Sequence, residues 1–322
     1  VTRFLVRRVI FAVLLVLVSS STALFLTRLA PGDLTSALGP NPTRAEMAAA
    51  RARFDLDRPV LDQWRLWAWR AARLDFGESL LYGSPVAPLV LGAAANSAAL
   101  GVTALIVATL LGLSLGIFTG ARQRGVVPAI VRGFSVACLS MPPLITSLLL
   151  VFVAARTGWL PLGSMTSSGA AAVTWSAWLA DVGSHLPLPV IALALPMAAT
   201  FERLQSQALS ETLHFPFVAA ATARGVSQRA AILHHAWPVS LRAICAVYGI
   251  AIGAVLSGSF AVEYVTSWPG LGRLMYDALR ARDIYLIAGC AAMGATLLAV
   301  GTLIGDLLLA ASDPRVREGT TD

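Results

Sequence analysis

Long, nearly charge-free apolar runs decide what this chain can fold into. Six recur, at about 9–29, 96–120, 130–155, 188–200, 241–262 and 284–311. A helix needs about 20 apolar residues to cross a bilayer, and all but the fourth run reach that length. Inside a bilayer no water satisfies backbone N–H and C=O groups, so a continuous run of this kind must be helical. The charged fraction of 13% and mean hydropathy of +0.74 agree with a membrane composition rather than a soluble core. The expectation is an all-α integral membrane protein with about six transmembrane helices. Arg3, Arg7 and Arg8 precede the first run, and the small residues at 19–23 resemble a signal-peptide cleavage site. Leu24, Phe25 and Leu26 extend the apolar character past that point, which favours a first spanning helix over 9–29.

Several function classes are excluded early. The formal charge of +7 would suit nucleic acid, but the arginines are scattered among apolar runs and form no basic stripe. Cys138, Cys245 and Cys290 all fall inside apolar runs and read as small packed residues. His185, His214, His234 and His235 have no spacing typical of a ligand set, so no metal site is expected. The chain contains no lysine at all. A phosphate-binding Walker loop needs one, so any ATP and Mg chemistry belongs to a partner. No paired catalytic residues stand at membrane depth, which argues against an intramembrane enzyme. A stand-alone secondary transporter would show several intramembrane charges and duplicated broken helices. Only Asp306 is clearly intramembrane, and no internal repeat is visible.

The runs divide the chain into a short amino-terminal segment (1–8), a first span (9–29), a polar segment (30–94), a five-span core (95–311) and a tail (312–322). In the polar segment, 43–53 reads as helix. The stretch 55–69 carries Trp64, Trp67 and Trp69, which suit a membrane interface or, equally, a packed aromatic cluster. Gly112, Gly116 and Gly120 lie four apart, a stripe that permits close helix approach. Pro142 and Pro143 break the third run. A broken helix is tolerated where it is buried or lines a cavity, so Ser140, Pro142 and Pro143 are pathway candidates, with a plain kink as the alternative. The connection at 157–186 is rich in Gly, Ser and Ala and gives no clear element.

The stretch 204–238 is too polar to span and sits between two runs that do. Glu202, Arg203 and Glu211 mark the membrane surface before it. Ala219, Ala220, Ala221 and Ala223 favour helix. Arg224 followed by Gly225 is a stop: a cation at the negative end, then a residue tolerant of the left-handed conformation. Ser227 is a candidate N-cap for a second short helix over 228–235, and Pro238 opens the next span. A helix–glycine–helix unit pinned at both ends can pass motion from a soluble partner into a helical bundle.

This stretch resembles the coupling loop of permease subunits of bacterial ATP-binding cassette importers, most closely the peptide and nickel branch. The pattern there is aromatic-V-x-x-A-x-A-[KR]-G-[LV]-[ST], matched by Phe217, Val218, Ala221, Ala223, Arg224, Gly225, Val226 and Ser227. The segments PGD at 31–33, LDRP at 56–59, LDFGESL at 74–80 and DPR at 313–315 are similar to the same branch. So is EYVTSWPGLG at 263–272, except that Thr266 stands where a phenylalanine is usual. The resemblance implies a type I importer fold, with a second homologous permease, two ATP-binding subunits and an extracytoplasmic substrate-binding protein as partners. It implies that Phe217, Val218, Ala220, Ala221, Ala223, Arg224, Gly225 and Ser227 meet an ATP-binding subunit. It also places Glu263, Trp268, Pro269 and Gly270 near the external gate, although a structural carboxylate paired with Arg273, Arg280 or Arg282 is an equal reading of Glu263.

Charge asymmetry orients the spans. The side that holds both termini carries twelve arginines against five acids, and the other side twelve against eleven. The termini and coupling stretch are therefore expected in the cytoplasm, and the resemblance implies a multi-pass protein of the bacterial inner or plasma membrane. The cargo stays open among dipeptides, oligopeptides, nickel chelates and other small solutes.

Overall fold

The computed structural model describes residues 2–29, 43–53, 57–167 and 174–312. Among these residues the regular structure is helical, apart from one isolated bridge between Glu78 and Pro85. The helices are α1 (Thr2–Leu29), α2 (Arg44–Arg53), α3 (Val60–Ala71), α4 (Val86–Ala121), α5 (Val126–Leu139), α6 (Pro143–Thr157) and α7 (Trp175–His185), followed by α8 (Pro187–Thr212), α9 (Pro216–Ala223) and α10 (Gln228–Ala230). A π-helical turn, Ala231–Ala236, joins α10 to α11 (Trp237–Val265), and α12 (Leu271–Ala281) and α13 (Ile284–Ser312) follow. Five helical segments among the described residues are long and apolar enough to cross a membrane, and α5 with α6 makes a sixth if that bent pair counts as one span. The expected all-α, roughly six-span membrane fold is borne out.

Several boundaries differ from the sequence reading. Helix α4 starts at Val86, ten residues before the expected run, because Val86 and Val90 are buried in a local core and extend the helix beyond its purely apolar part. Helix α8 runs to Thr212 rather than ending near residue 200, carrying Glu202 into the interior: that side chain is 0% exposed and is not a surface marker. The third run is two helices meeting at 105°. Pro142 and Pro143 end one ladder and open the next, Pro143 taking the first helical position, where a missing N–H costs nothing. The connection at 157–186 contains α7, capped by Thr174, whose hydroxyl accepts from the Ala177 amide at 3.3 Å. The PGD and DPR segments lie outside the described residues.

The chain separates into two compact units. The first comprises residues 1–98 and 267–300. Its core gathers Leu24, Trp67, Val86, Val90, Leu271 and the 284–288 stretch. The tryptophans of α3 divide their roles. Trp67 is buried; Trp64 donates its indole N–H to Ser21 Oγ at 2.8 Å; Trp69 is exposed beneath the Arg73 guanidinium. Helix α2 opens with a reciprocal cap: Glu46 accepts from the Thr43 amide at 2.7 Å, and Thr43 Oγ1 accepts from the Glu46 amide at 3.2 Å. Buried Asp283 begins α13. Its carboxylate accepts from Leu286 N, Ser79 Oγ and Leu81 N, tying the 79–81 turn to the helix start.

The second unit comprises residues 99–266 and 301–322. Here α8 is the central helix, packed by α5, α6 and α11. The glycine stripe of α4 lies against it. A Cβ on Gly112 would fall 2.6 Å from that of Phe201, one on Gly116 2.6 Å from that of Gln205, and one on Gly120 2.7 Å from the Ser206 carbonyl. Only glycine permits that approach. Elsewhere in the unit, Gly305 of α13 meets Gly249 of α11 backbone to backbone, with Asp306 half-buried beside the contact.

Candidate functional site

The chain leaves α8 through a tightened turn. The Leu213, His214 and Phe215 amides bond the carbonyls of Leu209, Glu211 and Thr212, so the last carbonyls of α8 are satisfied. Phe215 is extended and Pro216 takes the first position of α9, pre-set for helix. Four alanines then carry the eight-residue helix at little entropic cost.

Helix α9 stops as the Arg-Gly pair dictates. Gly225 has φ +90°, and its amide bonds the Thr222 carbonyl at 3.0 Å while the Val226 amide bonds that of Ala221 at 3.2 Å. This reciprocal pair is a Schellman motif, with glycine at the left-handed position. Ser227 then caps α10, its hydroxyl accepting from the Ala230 amide. The second helix is not short, however. Through the π turn it runs unbroken into α11, so that 228–265 form one 38-residue helical rod. Pro238 lies inside this rod, two residues past the π turn, and has no N–H to offer the ladder there.

The expected docking residues fall on two faces. Val218 (5% exposed) and Ala221 (2%) point inward. Val218 packs with Leu209, Ala231 and Ala236, and Ile117, Leu213, Val226 and Ile232 border that cluster. They anchor α9 and do not reach its outer surface. Phe217, Ala220, Ala223, Arg224, Gly225 and Ser227 are exposed. Phe215 and Phe217 stand edge to face, ring centroids 6.0 Å apart, each nearly half exposed. An aromatic pair open to solvent beside a cation and a strip of alanines suits contact with another protein.

The pathway candidates are more scattered. Ser140 is exposed at the α5–α6 bend and bonds back to the Val136 carbonyl at 3.0 Å. Pro143 lies against α11, where a Cβ on Gly258 would come within 3.2 Å of its ring. Glu263 is not in a loop: it lies in the last turns of α11 and is fully buried. Trp268, Pro269 and Gly270 form a turn held on the start of α4. Trp268 Nε1 donates to the Asn96 carbonyl at 3.1 Å, Asn96 Nδ2 to the Pro269 carbonyl at 2.9 Å, and the Leu271 amide to Ser97 Oγ at 2.7 Å. Thr266, in the place of the usual phenylalanine, is buried and bonds the Val262 carbonyl. Sequence reasoning missed Asn96, Ser97 and Asp283. The last had a signal, an aspartate immediately before an apolar run.

Residues 112–318 match the family described as binding-protein-dependent transport system inner membrane component, and residues 1–115 match the amino-terminal family of such membrane components. The chain belongs to this permease family. Similar curated proteins include the oligopeptide transport system permease protein OppB of Mycobacterium tuberculosis, 29% identical over 98% of this chain and 99% of that one. The probable peptide ABC transporter permease protein y4tP of Sinorhizobium fredii is 29% identical over 98% and 99%. The oligopeptide transport system permease protein AppB of Bacillus subtilis is 26% identical over 97% and 98%. The permease is therefore a membrane-embedded component of a binding-protein-dependent transport system, matched over nearly its whole length.

Proposed function

We propose that this permease forms half of the translocation pathway of an ATP-binding cassette importer for peptides. The peptide assignment follows the relatives named for peptides and oligopeptides; a nickel-chelate or other small-solute importer is the second reading. The observation that carries the mechanism is the exposed face of α9, with Phe215, Phe217 and Arg224 outward and Val218 clamped against Leu209. A partner gripping that face pulls on α8 and on the 228–265 rod together, because short connections at 213–215 and 224–227 join the two ends of α9 to those long helices.

In this reading two ATP-binding subunits bind below, one of them seating Phe217, Ala220, Ala223, Arg224, Gly225 and Ser227. ATP and Mg belong to those subunits. A second, homologous permease completes the pathway, and an extracytoplasmic binding protein delivers the peptide. Both termini and α9 lie in the cytoplasm, as the arginine asymmetry favours. The bend at Ser140–Pro143 and the buried Glu263 are the candidates for the pathway wall, and the Trp268–Gly270 turn is the candidate for the external gate. The permease performs no covalent step. It moves between two packings biased by nucleotide and by the loaded binding protein.

The test is reconstitution of the chain with its cognate ATP-binding subunits, second permease and binding protein, measuring uptake of labelled short peptides. ATP-dependent, binding-protein-dependent uptake is expected. Peptide movement by the chain alone, without nucleotide, would overturn the reading.

A further inference from the structure

Glu202 and Gln205 are both fully buried on one face of α8, at the three-residue spacing that sets side chains next to each other. Each reaches a different neighbour. Thr119 of α4 donates its hydroxyl to Glu202 Oε1 at 2.5 Å, and Gln205 Nε2 donates to Ser240 Oγ of α11 at 2.7 Å. Within one turn of itself, α8 is tied to both flanking helices. The remaining oxygens, Glu202 Oε2 and Gln205 Oε1, are buried and have no hydrogen-bond partner among the described residues. Half-satisfied polar groups are a poor source of stability, and apolar side chains of similar volume would hold the helices together better. What polar ties supply is register. A hydrogen bond between fixed atoms specifies one axial offset, whereas apolar side chains accept several.

Register is what the α4–α8 contact otherwise lacks. The glycine stripe brings the backbones together but leaves few side-chain ridges to resist sliding. The polar layer also stands directly behind the α9 anchor. Leu209, one turn beyond Gln205, and Ile117, next to Gly116, both pack in the cluster that holds Val218.

We propose that Glu202 and Gln205 are positioning residues for transport: they fix α4, α8 and α11 in one register, so that displacement of α9 reaches all three helices as a single movement. The proposal rests on reading α9 as the coupling segment. Neither residue touches cargo or nucleotide; they act through helix position. Replacing them leaves the ATP-binding subunits able to hydrolyse ATP but lets the pull on α9 dissipate as slip between α4 and α8.

The test uses the complete importer in proteoliposomes, measuring both ATP hydrolysis and uptake of a labelled pool of short peptides. Glu202→Leu and Gln205→Leu are expected to lower peptide imported per ATP by roughly two- to thirtyfold while binding-protein-stimulated hydrolysis persists. Glu202→Gln, which keeps an acceptor for Thr119, restores the ratio. Where Glu202→Leu does not assemble, Thr119→Val removes the same tie with almost no change of volume and gives the same readout. An unchanged ratio, or hydrolysis and uptake falling in parallel, overturns the proposal. Gly225→Val, measured alongside, separates the two readings. If it uncouples while the α8 variants do not, only the positioning role fails; if it too leaves the ratio intact, α9 is not the coupling segment.

Discussion

Trp268 and Asn96 grip each other's segment from both sides. The Trp268 indole donates to the Asn96 carbonyl at 3.1 Å, while the Asn96 side chain donates to the carbonyl of Pro269, the residue after the tryptophan. The turn at 267–271 is thereby fixed to the start of α4, with Ser97 adding a third bond to the Leu271 amide. Ser267 sits at φ +55° within it, a conformation that a non-glycine residue keeps only when its surroundings hold it.

Removing these ties is expected to loosen the turn by measurable steps. Asn96→Leu should cost about 0.5–1.5 kcal/mol, the net worth of one hydrogen bond. Ser97→Ala should cost about 1–3 kcal/mol, because the buried Leu271 amide is then left without an acceptor. Thermal unfolding in detergent gives the order, and hydrogen exchange at the Gly270 and Leu271 amides should rise in both variants. Unchanged exchange at those amides would contradict the assignment.

Asp283→Ala should be the most damaging single change in the first unit. One buried carboxylate serves Ser79, Leu81 and Leu286, and its loss strands three donors. The expected destabilisation is on the order of 3 kcal/mol. Asp283→Asn keeps one acceptor oxygen and should recover part of it. Unfolding midpoints of the two variants, compared with the parent, check the ranking.

At Gly225 the space around a new side chain is open: nothing lies within 4 Å of the point a Cβ would occupy, so the obstacle to substitution is the backbone. A φ of +90° strains a β-branched residue by about 1–2 kcal/mol. Gly225→Val should therefore straighten or displace the end of α9 and uncouple hydrolysis from uptake. Gly225→Asn, which tolerates the left-handed region, should be much milder. Equal behaviour of the two variants would count against the bend as the operative feature.

A pH effect is expected at α7. Hydrogen bonds from the Ser167 side chain and amide hold the Asp181 carboxyl below its ordinary value. A depressed folded value means that the tie is fully present above the ordinary aspartate range, about pH 4, and is lost as pH falls through the folded value. Protection of the Ser167 amide, taken relative to its intrinsic exchange rate at each pH, should fall on acidification, and Asp181→Asn should show that lower protection already at neutral pH with little further change.

The helix–glycine–helix unit was legible because its signals are local: alanines, an Arg-Gly stop and a serine cap each act within one or two turns. The fold class was legible because a bilayer admits so few backbones. What stayed hidden depends on neighbours distant in the chain. Glu202 looks like a surface charge until Thr119 and the glycine stripe are set against it. Val218 and Ala221 match a docking pattern, yet helical phase turns them inward. Helix α7 is short and lies in a compositionally weak stretch, where periodicity has too few residues to register.

The π-helical turn at 231–236 has a geometric consequence for the rod it interrupts. A π turn holds one residue more than an α turn, and each residue of an α-helix carries about 100° of rotation. Were the widened turn to travel along the rod, every side chain between its old and new positions would swivel by about that angle, with the ends of the rod staying in place. Such a shift would present a different face of 228–265 to its surroundings without lengthening, tilting or unwinding it.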